Sequence, residues 1–179
     1  MCKTLQVLPE QKKLRRELAQ FPTGVAVVTT VTETGEAVGM TINSFSSVSL
    51  MPALVSWCID RSALSYAVFA RASRFAITVL NDNQDELARR FARKGIDKFS
   101  DIETHPTEPV VIPGGCAWFQ CETHQRFLLG DHLMLIGKVK SSEGSARHSP
   151  MVFARGEFHA LSDYSTDRKS AVSKFAAAQ

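Results

Sequence analysis

Strand-like runs separated by short turns set the strongest limit on what this chain can fold into. Val25 to Val31 is a β-branched run that reads as a buried strand, Glu33-Thr34-Gly35-Glu36 as a turn, and Ala37 onward as the returning strand of a hairpin. Further strands are expected at Ala53 to Ile59, Arg74 to Leu80, Cys116 to His124, His132 to Ser141 and Met151 to Leu161. Helical patterns are few. Leu8 to Gln20 places Leu14 and Leu18 four apart with charge on the other faces. Ser62 suits the N-cap of a short helix through Phe69, and Gln84 to Ala92 carries Leu87 and Phe91 at helical spacing. So few strand–helix–strand alternations favour antiparallel pairing, and closing the strands into a small β-barrel with peripheral helices removes exposed edges.

A chain of 179 residues with 44% hydrophobic content suits one domain, read as residues 1–161, followed by a polar and then Ala-rich tail, residues 162–179. Residues 100–115 carry three prolines and Gly114-Gly115 and read as a long irregular connection. A net charge of +3, dispersed along the chain, argues against a nucleic-acid partner. The four cysteines, Cys2, Cys58, Cys116 and Cys121, lack CxxC spacing and are expected to be reduced. No apolar signal core and no run long enough to span a bilayer is present, so a cytoplasmic protein with no membrane association is expected.

Three groups of residues suggest chemistry. The hydroxyl cluster at Ser44, Ser46, Ser47 and Ser49 follows a strand-like stretch, and small side chains there suit a backbone laid against a flat or anionic ligand; a polar edge strand leading into a turn fits the same residues. Arg61, Ser62 and Ser65 would gather at a helix N-terminus, which attracts phosphate, although plain capping with a solvated arginine is the preferred reading of these residues taken alone. Arg89, Arg90, Arg93, Lys94 and Lys98 crowd into ten residues, either as a solvated face or as a holder for a phosphate tail. His132 sits at the mouth of a strand, where a structural histidine is the commoner occurrence. Phosphate-binding P-loop, nucleophile-elbow, zinc-protease and Rossmann patterns are all missing, and in a strand Cys121 and His124 point to opposite faces, which disfavours a shared metal. The residues present would suit a flat polar ring with a phosphate end, a flavin among other ligands.

In order along the chain come Phe21-Pro22-Thr23-Gly24-Val25, the run from Gly39 to Leu50, Phe75-Ala76-Ile77-Thr78-Val79-Leu80, Gln84 with Leu87-Ala88, Lys98-Phe99, Gly130-Asp131-His132 and Phe153-Ala154-Arg155-Gly156. From Leu14 to Leu161 this resembles the short-chain flavin reductases with an FMN-binding split β-barrel, the reductase components of two-component flavin-dependent monooxygenases. The resemblance implies a Greek-key antiparallel split β-barrel and a homodimer with flavin sites near its interface. It implies that Thr41, Ile42, Asn43, Ser44, Ser46 and Ser47 line the isoalloxazine of FMN or FAD, while Arg61, Ser62, Ser65, Lys98 and Phe99 hold the ribityl phosphate side. His132, bordered by Arg155, Gly156 and Phe158, would stand on the nicotinamide side, with NADH slightly preferred to NADPH. Reduced flavin would pass to a separate monooxygenase. A flavin carrier or sensor without reductase activity, or a reductase of another acceptor such as a corrinoid, remains an alternative. The chain departs from the family at Phe158, where many relatives carry tyrosine, and at Pro52-Ala53, where Pro-Pro is often found.

Overall fold

The computed structural model describes residues 9–161, apart from 106 and 107; the expected tail at 162–179 lies outside the described residues. Its helices are α1 (Pro9–Leu18), α2 (Tyr66–Arg71) and α3 (Asp85–Ala92). Ten strands accompany them: β1 (Thr23–Gly24), β2 (Ala26–Val31), β3 (Ala37–Ile42), β4 (Ser46–Leu50), β5 (Ala53–Asp60), β6 (Arg74–Val79), β7 (Ala117–Leu129), β8 (His132–Gly144), β9 (Met151–Ala154) and β10 (Glu157–Ala160). Seven form one antiparallel sheet in the order β3-β2-β6-β7-β8-β5-β4, and the short strands form a second, β1-β9-β10. The mainly β, antiparallel fold expected from the strand runs is the fold observed.

The centre of the large sheet is buried on both faces because two cores press on it. Successive side chains of a strand point to opposite faces. Ala26 and Val28 accordingly enter one cluster with Trp57, Ile59, Phe75 and Leu135, whereas Val25 and Val27 enter another with Leu80, Phe91, Ile112 and Met151. The first cluster draws on strands from one edge of the sheet to near the other, so the sheet curls around it. Trp57 is its centre, with the rings of Phe69 and Phe75 edge-on at 5.0 and 5.8 Å. Burying each such ring contributes on the order of 2–3 kcal/mol. No ladder joins the edge strands β3 and β4 among the described residues, which leaves the curled sheet split along that seam.

The second cluster is roofed by α3 and by the irregular connection after it. Two buried threonines hold that connection: Thr29 Oγ1 donates to the carbonyl of Val110 at 2.6 Å, and Thr78 Oγ1 accepts from the amide of Ile112 at 3.1 Å. Hydroxyls inside a β-branched run are thus satisfied by long-range partners, as buried polar groups require.

Several elements depart from expectation. The serine cluster includes a strand of its own, β4, and it is an edge strand, as the plainer alternative held. Met151 to Leu161 is two strands rather than one, because Arg155 (φ 53°) and Gly156 (φ 90°) turn the chain between Ala154 and Glu157. Two positive φ values in a two-residue loop are the requirement of a type I′ hairpin. The helix expected from Ser62 begins at Tyr66, since the Ser62 amide is captured by Asp60 Oδ1 at 2.7 Å and the chain spends residues 61–65 in turns. On α1 the apolar stripe is uncovered within the chain, with Leu14 54% and Leu18 65% exposed.

Candidate functional site

A groove of about 390 Å³ lies between β3, the segment 63–65 and the segment 91–99 that follows α3. Its floor is set at Gly39. A Cβ there would meet Phe91 Cε1 at 2.7 Å and Phe99 Cζ at 3.0 Å, so only glycine lets the two rings, edge-on with centroids 5.1 Å apart, rest on the strand. Thr41, next on the same face, donates its hydroxyl to the Ala88 carbonyl at 2.6 Å and ties β3 to α3. Lys98 Nζ donates to the carbonyls of Gly39 (3.0 Å) and Phe91 (2.8 Å), and burial pulls its ammonium below the ordinary lysine value. Arg93 and Lys94 add further positive charge to this wall, and Ser65 lies across from it with its hydroxyl 3.6 Å from Met40 Sδ.

Beside the 63–65 wall stands the Gly130-Asp131-His132 turn. Gly130 (φ 59°) makes the two-residue link between the paired Leu129 and His132, so part of this motif is hairpin grammar. His132 pairs across strands with Asp60, and the Arg61 amide donates to the Asp131 carbonyl at 2.9 Å. His132 Nδ1 lies 2.7 Å from Asp131 Oδ1; a carboxylate only accepts, so the proton sits on Nδ1 and Nε2 is left to another partner. This bond to the His132 ring holds the Asp131 carboxyl below its ordinary range. The Asp60 carboxyl is lowered as well, first by the Ser62 amide and more weakly by His132 and Lys94.

The structure therefore brings Thr41, Ser65, Lys98 and Phe99 to one groove; Arg61 and Ser62 are outside its lining and lead into its 63–65 wall, and His132 is linked to them through the strand pair with Asp60. It does not bring the whole serine cluster there. Ile42 is in the interior core at 5% exposure and Asn43 is exposed. Ser44 Oγ is engaged by β5, accepting from the Cys58 amide at 3.0 Å and donating to the Cys58 carbonyl at 3.2 Å. Ser46 and Ser47 are exposed on β4, with Ser46 Oγ donating to the Ser47 carbonyl. Arg155, Gly156 and Phe158 lie apart from the groove lining. Arg155 bonds the end of α1 through its amide to Ala19 (2.9 Å) and its Nε to Gln20 (3.1 Å). Phe158 packs on Phe153 beneath the Arg89 guanidinium, 5.2 Å from its ring centre. Sequence reasoning missed Gly39 and Asp60 as site-forming residues, although a glycine inside a strand signals close approach of another group. Cys121 is buried, with its thiol pushed up to about 12 by desolvation, and His124 is exposed beyond it.

A curled antiparallel sheet with a cationic, glycine-floored groove against one edge defines the class, and the chain belongs to the flavin reductase like domain family, which it matches over residues 18–162. Among relatives, a flavin reductase of Pseudomonas putida is 38% identical over 80% of this chain and 86% of its own length. An actinorhodin polyketide dimerase of Streptomyces coelicolor is 39% identical over 85% of this chain and 87% of its own. Among solved structures, the Streptomyces globisporus NADH:FAD oxidoreductase SgcE6 in complex with NAD and FAD fragments superposes with a TM-score of 0.77 at 32% identity, covering 91% of this chain and 98% of that one.

Proposed function

We propose that this protein is an NAD(P)H:flavin oxidoreductase that reduces FMN or FAD with NADH, or NADPH, and releases reduced flavin to a separate monooxygenase. The observation that carries the proposal is the groove: a floor of glycine and aromatic edges with Lys94 and Lys98 on one wall and the Ser65 hydroxyl on the other suits a flat ring with an anionic tail. Thr41 and the neighbouring backbone from Ile42 to Ser47 border the ring in this proposal. Arg61, Ser62, Ser65, Lys98 and Phe99 lie toward the phosphate, and His132 toward the nicotinamide. Bound flavin and reduced nicotinamide supply the hydride chemistry between them, so the protein contributes geometry and electrostatics. The half-buried Lys98 ammonium fixes the 91–99 wall while adding positive charge, and the Asp131 carboxylate holds the His132 ring by Nδ1.

The dimer and the cytoplasmic location belong to the same proposal. Leu14, Leu18 and Phe21 by α1, and Leu50 and Met51 at the end of β4, leave apolar surface exposed by 54 to 93%, which a second copy would cover. Arg155, Gly156 and Phe158 border the nicotinamide in this proposal. Cys58, Cys116 and Cys121 are free thiols, which suits a reducing compartment, and among the described residues no helix is long and apolar enough to cross a membrane.

The test mixes purified protein with NADH or NADPH and a large excess of FMN or FAD and follows nicotinamide absorbance. Many turnovers per protein with free flavin are expected. Tight flavin binding without nicotinamide oxidation would replace this proposal with a carrier or sensor. Oxidation that requires a third acceptor would replace it with a flavin-dependent reductase of another small molecule.

A further inference from the structure

We infer that Asp60 is a positioning residue that joins the two halves of the site, holding the flavin-side wall with one carboxylate oxygen and facing His132 with its charge. The inference rests on the reductase proposal above. Asp60 is the last residue of β5 and the direct cross-strand partner of His132, the first residue of β8. Directly paired residues of antiparallel strands project from the same face, so carboxylate and imidazole are neighbours there. The buried neighbours one step along, Ile59 and Leu133, point into the interior core, which places Asp60 and His132 on the outer face.

The same side chain shapes the groove. Oδ1 accepts the Ser62 amide at 2.7 Å, and the Asp60 carbonyl accepts the Ala63 amide at 3.0 Å. This side-chain turn sends the chain from the strand end into Ala63, Leu64 and Ser65, the groove wall. A second tie, Arg61 amide to Asp131 carbonyl, locks that turn to the one carrying His132. Around the Asp60 carboxylate stand the His132 ring and the Lys94 ammonium, with the ionisable side chains of Arg61 and Asp131 on the residues whose backbone atoms are linked. His132 has Asp131 on Nδ1, so the Asp60 charge is the second carboxylate flanking the ring and biases its orientation.

An ordinary turn-forming aspartate would sit in the same place, and two substitutions separate the two roles. Asp60→Asn keeps an oxygen for the Ser62 amide and removes the charge; Asp60→Ala removes both. Flavin affinity, measured by quenching of flavin fluorescence, is expected to stay within about twofold of wild type in Asp60→Asn, while the KM for NADH rises about threefold to fivefold, the range an exposed charge pair supplies. In Asp60→Ala flavin affinity is expected to fall as well, by about tenfold, with the groove wall released. The imidazole resonances of His132, assigned by NMR against His132→Asn, should move in Asp60→Asn. That signal does not depend on turnover. If wild type fails to oxidise NADH, the reductase proposal falls, and the ring resonances with the flavin affinities alone decide the role of Asp60. Unmoved His132 resonances in Asp60→Asn, or a flavin affinity lost equally in both variants, would overturn the inference and leave Asp60 a structural turn residue.

Discussion

Lys98 Nζ stands 3.0 Å from the Gly39 carbonyl and 2.8 Å from that of Phe91, so one ammonium joins an edge strand to the end of a helix. Both acceptors would lose a charge-assisted partner in Lys98→Met, at a cost of about 1–3 kcal/mol in stability by urea denaturation. Flavin affinity should fall more steeply than that loss explains, because the segment from Arg93 to Phe99 is a wall of the groove. A variant with wild-type flavin affinity would remove Lys98 from the binding site.

Gly39 gives the complementary case. The Cβ of Gly39→Ala would sit 2.7 Å from Phe91 Cε1, which must shift. Overpacking of this kind costs about 1–3 kcal/mol. Thermal denaturation should show the loss, and Gly39→Ala combined with Phe99→Leu should recover part of it, since Phe99 is the other ring in the way.

The turn at Arg155-Gly156 holds a non-glycine residue at φ 53°. Asparagine is the favoured residue at that position of a type I′ turn, so Arg155→Asn is expected to be neutral or to stabilise by up to about 1 kcal/mol. The lost bond to Gln20 is exposed and contributes little. If Arg155 also borders the nicotinamide, the same variant raises the KM for NADH while the melting temperature holds or rises. Proportional changes in both would assign Arg155 to structure alone.

A pH dependence follows from Asp101, which accepts from the Arg90 guanidinium and is thereby held below its ordinary value of 3.8. A carboxyl lowered in the folded state binds fewer protons there than in the unfolded chain. Its contribution is therefore complete above the unfolded value and is lost as pH falls through the folded one. Stability measured from about pH 5 downward should decline less steeply in Asp101→Asn than in wild type. Parallel curves would show that the Arg90 pair has no energetic role.

What the sequence determined by itself was the set of elements whose signals are local. The β-branched run of β2, the turn into β3, the strands β5 and β6 and the helical spacing of Leu87 and Phe91 are legible because side-chain alternation and turn chemistry act within a few residues. The ordered segments from Phe21 to Gly156 likewise carried the family resemblance. Tertiary structure decided which of these residues meet. The groove joins Gly39, Ser65 and Lys98, distant in sequence, and no local pattern distinguishes Thr41, which lines it, from Ser44, whose hydroxyl is engaged by Cys58. Ser62 resembled a helix cap until Asp60 took its amide, a competition between two turns that adjacent residues alone do not settle. Thr29 and Thr78 looked like ordinary strand residues, yet each holds a connection more than thirty residues away, because burying a hydroxyl without a partner is costly and the fold supplies one from a distant segment.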